Sequence, residues 1–273
     1  MKKRIFAGIL LVLMVIAIFI LPVEFFYLLY LVLALICCNE FMHMLETGGM
    51  KSFKIISYAF VILFTAALYN SHHDFLWNII PWRNGGFLLI FSIFMLILLT
   101  TAVFSRKFDL KSVIYSVFGI MYSVVLLGFA ILIIELPQGK WLLGFLLVGA
   151  VASDTFAYFI GYFLGKRKIV PEISPKKTVE GSIGGLMGSI VFMTIYILIM
   201  KAVAGQVPEL WKIIVIIPVS GVVAQLGDWT ASYMKRQFSI KDFGRLIPGH
   251  GGLLDRVDSI IFLLPVLYFI FII

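Results

Sequence analysis

Between Gly227 and Asp258 the chain crowds Asp228, Lys235, Arg236, Lys241, Asp242, Arg245, Asp255, Arg256 and Asp258 into a stretch with apolar sequence on both sides. Charge that dense beside apolar helices is costly to bury, so it points to a charged substrate or a metal ion. Asp228, Ser232 and Lys235 stand at i, i+4 and i+7, which is one face of a helix. Asp255 and Asp258 stand three apart and also share a face, with Arg256 directed elsewhere. Neighbouring carboxylates repel unless a cation sits between them. Oxygen donors without sulfur or paired histidines select Mg²⁺ or Mn²⁺ over zinc, which makes Asp228, Asp255 and Asp258 candidate metal ligands. The alternative is a structural network pairing these acids with Arg256, Lys235 and Arg236.

Two glycine-rich loops accompany the acids. Ile247-Pro248-Gly249-His250-Gly251-Gly252 allows close backbone approach, and its freed N–H groups could cradle phosphate oxygens beside Lys241, Arg245 and His250. Ser174-Pro175-Lys176-Lys177-Thr178-Val179-Glu180-Gly181 puts two lysines and two hydroxyls just before a helix N-terminus, a phosphate-binding composition. A basic loop attracted to anionic headgroups is the plainer reading of this second segment. Asp154 lies too deep in an apolar run to be a solvated loop acid, and Gly161 and Gly165 follow it on a small-residue face for close helix packing. Glu40 either faces the charged region or caps a helix contact. His72 and His73, near Trp77 and Trp82, read as an interfacial belt, since two adjacent histidines lack a third ligand. Cys37 and Cys38 are adjacent in an apolar run and read as small packing side chains.

The elements that must carry these residues follow from composition. The 273 residues are 62% hydrophobic and 13% charged, with a mean hydropathy of +1.09, too apolar for a soluble globule. An all-α polytopic membrane protein is expected, with about nine spans near 5–23, 25–45, 53–70, 86–105, 113–135, 141–164, 183–204, 209–234 and 253–273. The N-terminal Met-Lys-Lys-Arg and its apolar run read as the first span rather than a cleaved leader, because no small-residue cleavage site follows.

With the N-terminus and every second loop in the cytoplasm, all lysines and arginines except Arg83, Lys140, Lys201 and Lys212 fall inside, and the C-terminus lies outside. The same bias accounts for the formal charge of +8, so no nucleic-acid partner is expected. Residues 1–135 form an N-terminal region of about five spans. Residues 136–273 form a C-terminal region of about four, holding the two long polar loops at 165–182 and 235–252.

Ser232-x-Met234-Lys235-Arg236, Lys241-Asp242-x-Gly244, Ile247-Pro248-x-His250-Gly251-Gly252-Leu253 and Asp255-Arg256-Val257-Asp258 together resemble the signature of the phosphatidate cytidylyltransferases, the CDP-diacylglycerol synthases. The loop Ser174-Pro175-Lys176-Lys177-Thr178-x-Glu180-Gly181 and the stretch Asp154-x-x-Ala157-Tyr158-x-x-Gly161 resemble the same family. The likeness is strong over the C-terminal half.

The resemblance implies a reaction of CTP with phosphatidic acid from the cytoplasmic leaflet of the cell membrane, dependent on Mg²⁺ or Mn²⁺. It implies one or two ions on Asp228, Asp255 and Asp258, and a homodimer. Lys176, Lys177, Lys241, Arg245 and Arg256 would hold the triphosphate or pyrophosphate, and His250 would donate to the leaving group. Ser232 and Lys235 would grip the lipid headgroup. Asp154, Ser174, Thr178, Arg236, Gly251 and Gly252 complete the expected binding set. An anion transporter is the rival, since intramembrane charge near broken helices also marks translocation paths. Its inverted repeats are not visible by inspection. The Asp-Gly-x-x-Ala-Arg string of enzymes joining CDP-activated lipids to alcohols is absent.

Overall fold

The computed structural model describes residues 18–73, 86–105, 107–246 and 251–273. Most of the first expected span, the 74–85 segment with Trp77 and Trp82, and residues 247–250 with His250 lie outside the described residues.

Among the described residues the chain is all-helical. The elements are α1 (Val23–Thr47), α2 (Lys54–His73), α3 (Gly86–Phe104), α4 (Leu110–Ile134), α5 (Gly139–Leu164), α6 (Val179–Ala204), α7 (Leu210–Gln237) and α8 (Leu254–Ile272). They coincide with the second to ninth expected spans. Helices dominate because a lipid interior offers no water to unpaired backbone groups, and a helix satisfies its own. Helices α1 to α7 are long and apolar enough to cross a bilayer, with α2 counted from Lys54 to Ser71. Helix α8 is 19 residues long and opens with the charged Asp255, Arg256 and Asp258. The chain is a multi-pass membrane protein.

Two compact units divide it. The first comprises Met1–Phe26, Ile133–Trp229 and Phe262–Ile273; the second comprises Tyr27–Leu132 and Thr230–Ile261.

In the first unit α5 and α6 pack almost backbone to backbone along a run of glycines. A side chain on Gly181 would come within 2.8 Å of the Ala157 carbonyl oxygen, and one on Gly185 within 2.8 Å of that of Ser153. Small residues are what permit helices to approach this closely in a membrane. Farther along, Gly149 faces Met193, and Tyr196 lies over Gly144 while donating to the Trp141 carbonyl at 3.0 Å. Lys140 Nζ donates to the Leu21 carbonyl at 2.7 Å.

The second unit centres on Phe41, 1% exposed, with Gly119 directly against its ring and Phe243 stacked 6.4 Å away. Asp109 caps α4 by accepting from the Ser112 amide at 2.9 Å and hydroxyl at 2.6 Å, which holds its carboxyl below the ordinary aspartate value. Within α4, residues Met121–Val125 form a π turn. The loosened backbone there gains side-chain bonds: Ser123 donates to the Gly119 carbonyl at 2.7 Å and Tyr30 to that of Val124 at 3.0 Å.

Candidate functional site

In the first unit the segment between α5 and α6 is a fixed strap. Glu180, one residue into α6, accepts the N–H groups of Lys166 at 2.9 Å and Arg167 at 3.2 Å. The Ile169 amide donates to the Lys177 carbonyl at 3.2 Å and the Val179 amide to that of Arg167 at 2.8 Å. Thr178, 4% exposed, caps α6 by accepting from the Gly181 amide at 3.1 Å, and its side chain lies against Gly161 and Gly165. That contact is why the strand of chain leaving α5 can turn back so tightly. The strap already takes the Val179 and Gly181 N–H groups, so the loop's anion-binding capacity rests in its lysine side chains rather than in those amides.

The strap closes over a cavity of about 570 Å³. Asp154, Tyr158 and Tyr162 line it from α5, Lys168, Ser174, Lys176 and Lys177 from the strap, Ser182 from α6, and Gln225, Asp228 and Trp229 from α7. Lys177 Nζ pairs with Asp228 Oδ2 and lies 6.0 Å from the centre of the Trp229 ring. The two partners are 25% and 32% exposed, so water still reaches the pair. Ser182 and Gln225 bond reciprocally, the hydroxyl donating to the Gln225 amide oxygen and Gln225 Nε2 donating to the Ser182 carbonyl at 3.0 Å. Positive charge, hydroxyls and two aspartates from within α5 and α7, walled by aromatics, suit a phosphate-bearing ligand with an apolar part.

In the second unit the loop from α7 to α8 is organised by two carboxylates. Asp255 is 3% exposed; its Oδ1 accepts from Lys235 Nζ at 2.6 Å, and its Oδ2 accepts from the Phe243 amide at 2.8 Å and the Gly252 amide at 3.0 Å. Glu40 reaches in from α1 and accepts the Leu253 amide at 2.9 Å and the Leu254 amide at 2.8 Å. Gly244 and Gly252 lie directly on the Glu40 carboxyl, and Gly251 has φ of +83°, a left-handed conformation that glycine adopts without strain. Of the Ile247–Gly252 cradle, whose N–H groups were expected to be free for phosphate, the Gly252 amide is instead taken by Asp255, and residues 247–250 lie outside the described residues.

Lys235 is 10% exposed, tied to Asp255 and 5.1 Å from the centre of the Phe243 ring. This is the pairing that the ion-pair alternative expects for one of the three aspartates. Asp258 is 7% exposed and accepts the Ser259 amide at 2.7 Å. Ser232 is half-buried, while Arg236, Lys241, Arg245 and Arg256 are exposed, with Arg236 donating to the Ile240 carbonyl at 3.1 Å. Among the described residues no group of three or more His, Cys, Asp or Glu gathers closely enough to hold a metal ion.

The first unit therefore brings Asp154, Ser174, Lys176, Lys177, Thr178 and Asp228 together around one cavity. Lys168, Tyr162, Gln225 and Trp229 line it too, although sequence reasoning did not place them in the site. Gln225 was within reach of it, because it stands three residues before Asp228 and extends the polar stripe by a turn. Lys168 and Trp229 carried no comparable spacing signal.

A model described as the cytidylyltransferase family matches residues 2–273. The chain is similar to the phosphatidate cytidylyltransferase of Bacillus subtilis (strain 168), at 37% identity over 177 residues, 64% of this chain and 64% of that protein. Similarity to the phosphatidate cytidylyltransferase of Staphylococcus saprophyticus is 38% over 172 residues, 63% of this chain and 64% of the relative. That of Staphylococcus aureus (strain COL) is 44% identical over 115 residues, 42% of this chain and 43% of the relative. Each of these matches spans less than two thirds of the relative's length.

Proposed function

The chain belongs to the cytidylyltransferase family, and on that footing we propose that it converts CTP and phosphatidic acid to CDP-diacylglycerol and pyrophosphate. One observation carries the reading: the cavity of the first unit, where Lys168, Lys176 and Lys177 meet Asp154 and Asp228 on helices long and apolar enough to span a bilayer. A nucleotide and a lipid phosphate are both polyanionic, and they need such a site to approach one another.

In the reaction an oxygen of the lipid phosphate attacks the α-phosphorus of CTP. The bond from that phosphorus to the oxygen bridging to the β-phosphate breaks, and pyrophosphate leaves with the electron pair. A phosphate monoester is already an anionic nucleophile near neutral pH, so alignment and charge neutralisation matter more than a strong base. Lys176 and Lys177, with Lys241, Arg245 and Arg256, hold the triphosphate and the departing pyrophosphate. Ser232 positions the lipid headgroup. Lys235, buried on Asp255, acts on the headgroup only by relinquishing that partner; its role in the resting protein is to fix the loop. His250 donates to the leaving group.

Asp228, Asp255 and Asp258, which do not gather into a ready-made group of three among the described residues, are the carboxylates we assign to Mg²⁺ or Mn²⁺, with one or two ions. Hard oxygen donors suit these cations. The part-exposed pair of Asp228 with Lys177 can exchange an ammonium for an ion. Asp255 already accepts three hydrogen bonds and keeps a single lone pair for a ligand role. When bound, the cation neutralises charge on the reacting phosphates and aligns them. Phosphatidic acid comes from the cytoplasmic leaflet of the cell membrane, CTP comes from the cytosol, and the protein works as a homodimer.

The test is turnover by the purified protein in detergent with labelled CTP, phosphatidic acid and Mg²⁺. CDP-diacylglycerol should form only when both substrates are present, and solute flux without CTP consumption would favour the transporter instead. Asp258→Asn should lower kcat by about 10²-fold or more, on the scale of losing one charge-stabilising group, with the thermal melting profile retained. Full activity in that variant removes the metal assignment.

A further inference from the structure

Beside the polar cavity of the first unit lies a second, smaller hollow of about 110 Å³ between α6 and α7. Its walls are apolar: Ile183 and Leu186 from α6, Val222 and Leu226 from α7. Ser182, Gln225 and Trp229 line both hollows, so the groove adjoins the cavity. Along α7 from Asp228 the chain passes Leu226 and Gln225 and then reaches Val222, so the lining residue farthest from the charge is hydrocarbon, within two turns of it. Ile183, Val222 and Leu226 are 59%, 48% and 44% exposed, and both helices are of membrane-spanning length and hydropathy. The groove therefore opens sideways, on a face that a bilayer would cover. Gly221, set against Leu186 and Ser189, keeps the two helices close at the groove's far end.

Building on the reaction proposed above, we propose that this groove holds the glycerol-proximal carbons of one acyl chain of the lipid substrate while its phosphate lies in the cavity. The polarity sequence of the protein matches that of the ligand: anionic phosphate at the lysines and Asp228, ester region level with Ser182, Gln225 and Leu226, hydrocarbon against Leu186 and Val222. A water-soluble phosphate ester would leave the groove unused. The four apolar residues thus set which lipids are accepted, and they do so separately from nucleotide binding.

The experiment uses the full chain in lipid nanodiscs and a phosphatidic acid bearing a diazirine near the carboxyl end of an acyl chain. After irradiation, peptide mapping should find adducts at residues 183–186 or 222–226, suppressed by excess phosphatidic acid and not by phosphatidylcholine. In parallel, Val222→Trp and Leu226→Trp should lower kcat/KM for phosphatidic acid by about 5- to 10-fold with KM for CTP unchanged, the scale of a filled hydrophobic subsite. Leu198→Trp, at a 61% exposed position farther along α6, should behave as the unsubstituted protein. Adducts confined to other helices, adducts suppressed equally by both lipids, or unchanged lipid kinetics in both groove variants of an active protein would overturn the groove assignment alone. Absence of turnover by the unsubstituted protein would overturn the proposed reaction, and the groove assignment with it.

Discussion

At the scale of single residues, Glu40 shows how a carboxylate can organise a loop that is distant in sequence. It accepts two amides that lie 213 and 214 residues farther along the chain, at the N-terminal end of α8. Negative charge there also opposes the positive end of the helix dipole. Glu40→Ala leaves two amides unpaired and should destabilise the protein by about 1–3 kcal/mol, the usual cost of a stranded buried donor. Glu40→Gln keeps one acceptor oxygen and should recover part of that loss. Thermal unfolding in detergent measures both, and equal stability of all three proteins would show that the contact is dispensable. From sequence Glu40 was legible only as a polar residue in an apolar run, with two roles open. Its partners are too distant in the chain for any spacing rule to name them.

At the scale of elements, the cavity depends on how closely α5 and α6 approach. Gly185 sits where α5, α6 and Gln225 converge, since a methyl group there would stand 2.8 Å from the Ser153 carbonyl oxygen, 3.0 Å from Ala157 Cβ and 3.2 Å from Gln225 Nε2. Gly185→Ala should cost about 1–3 kcal/mol by overpacking. It should also displace the Ser182–Gln225 bond at the edge of the cavity, so turnover should fall as the melting temperature does. A variant as stable and as active as the parent would mean that the helices part without consequence. The glycines were visible in sequence as a small-residue face beyond Asp154. The face of α6 that receives them was not, because its glycines at 181, 184, 185 and 188 do not by themselves reveal which neighbour they meet.

At the scale of the whole molecule, the expected sidedness puts the α3–α4 and α5–α6 loops in the cytoplasm and the α6–α7 loop outside. Single cysteines at the exposed positions Lys107 and Glu172 should then react with an impermeant maleimide from the cytoplasmic face only, and one at Glu209 from the outer face only. Cys37 and Cys38 are 0% exposed and should contribute little background. Labelling of Glu172→Cys and Glu209→Cys from the same face would break the alternation. The sequence by itself determined that the chain is helical and membrane-embedded, where most helices begin and end, and which stretches hold its charge. Those properties follow from local rules, namely the length and apolarity of each run and the need of a backbone in lipid to bond to itself. The tertiary structure alone decided that Lys177 meets Asp228, that Lys235 and two amides occupy Asp255, and that Glu40 closes α8. A charge in a low-dielectric interior takes whichever partner packing brings near, and packing joins residues that no periodicity along the chain relates.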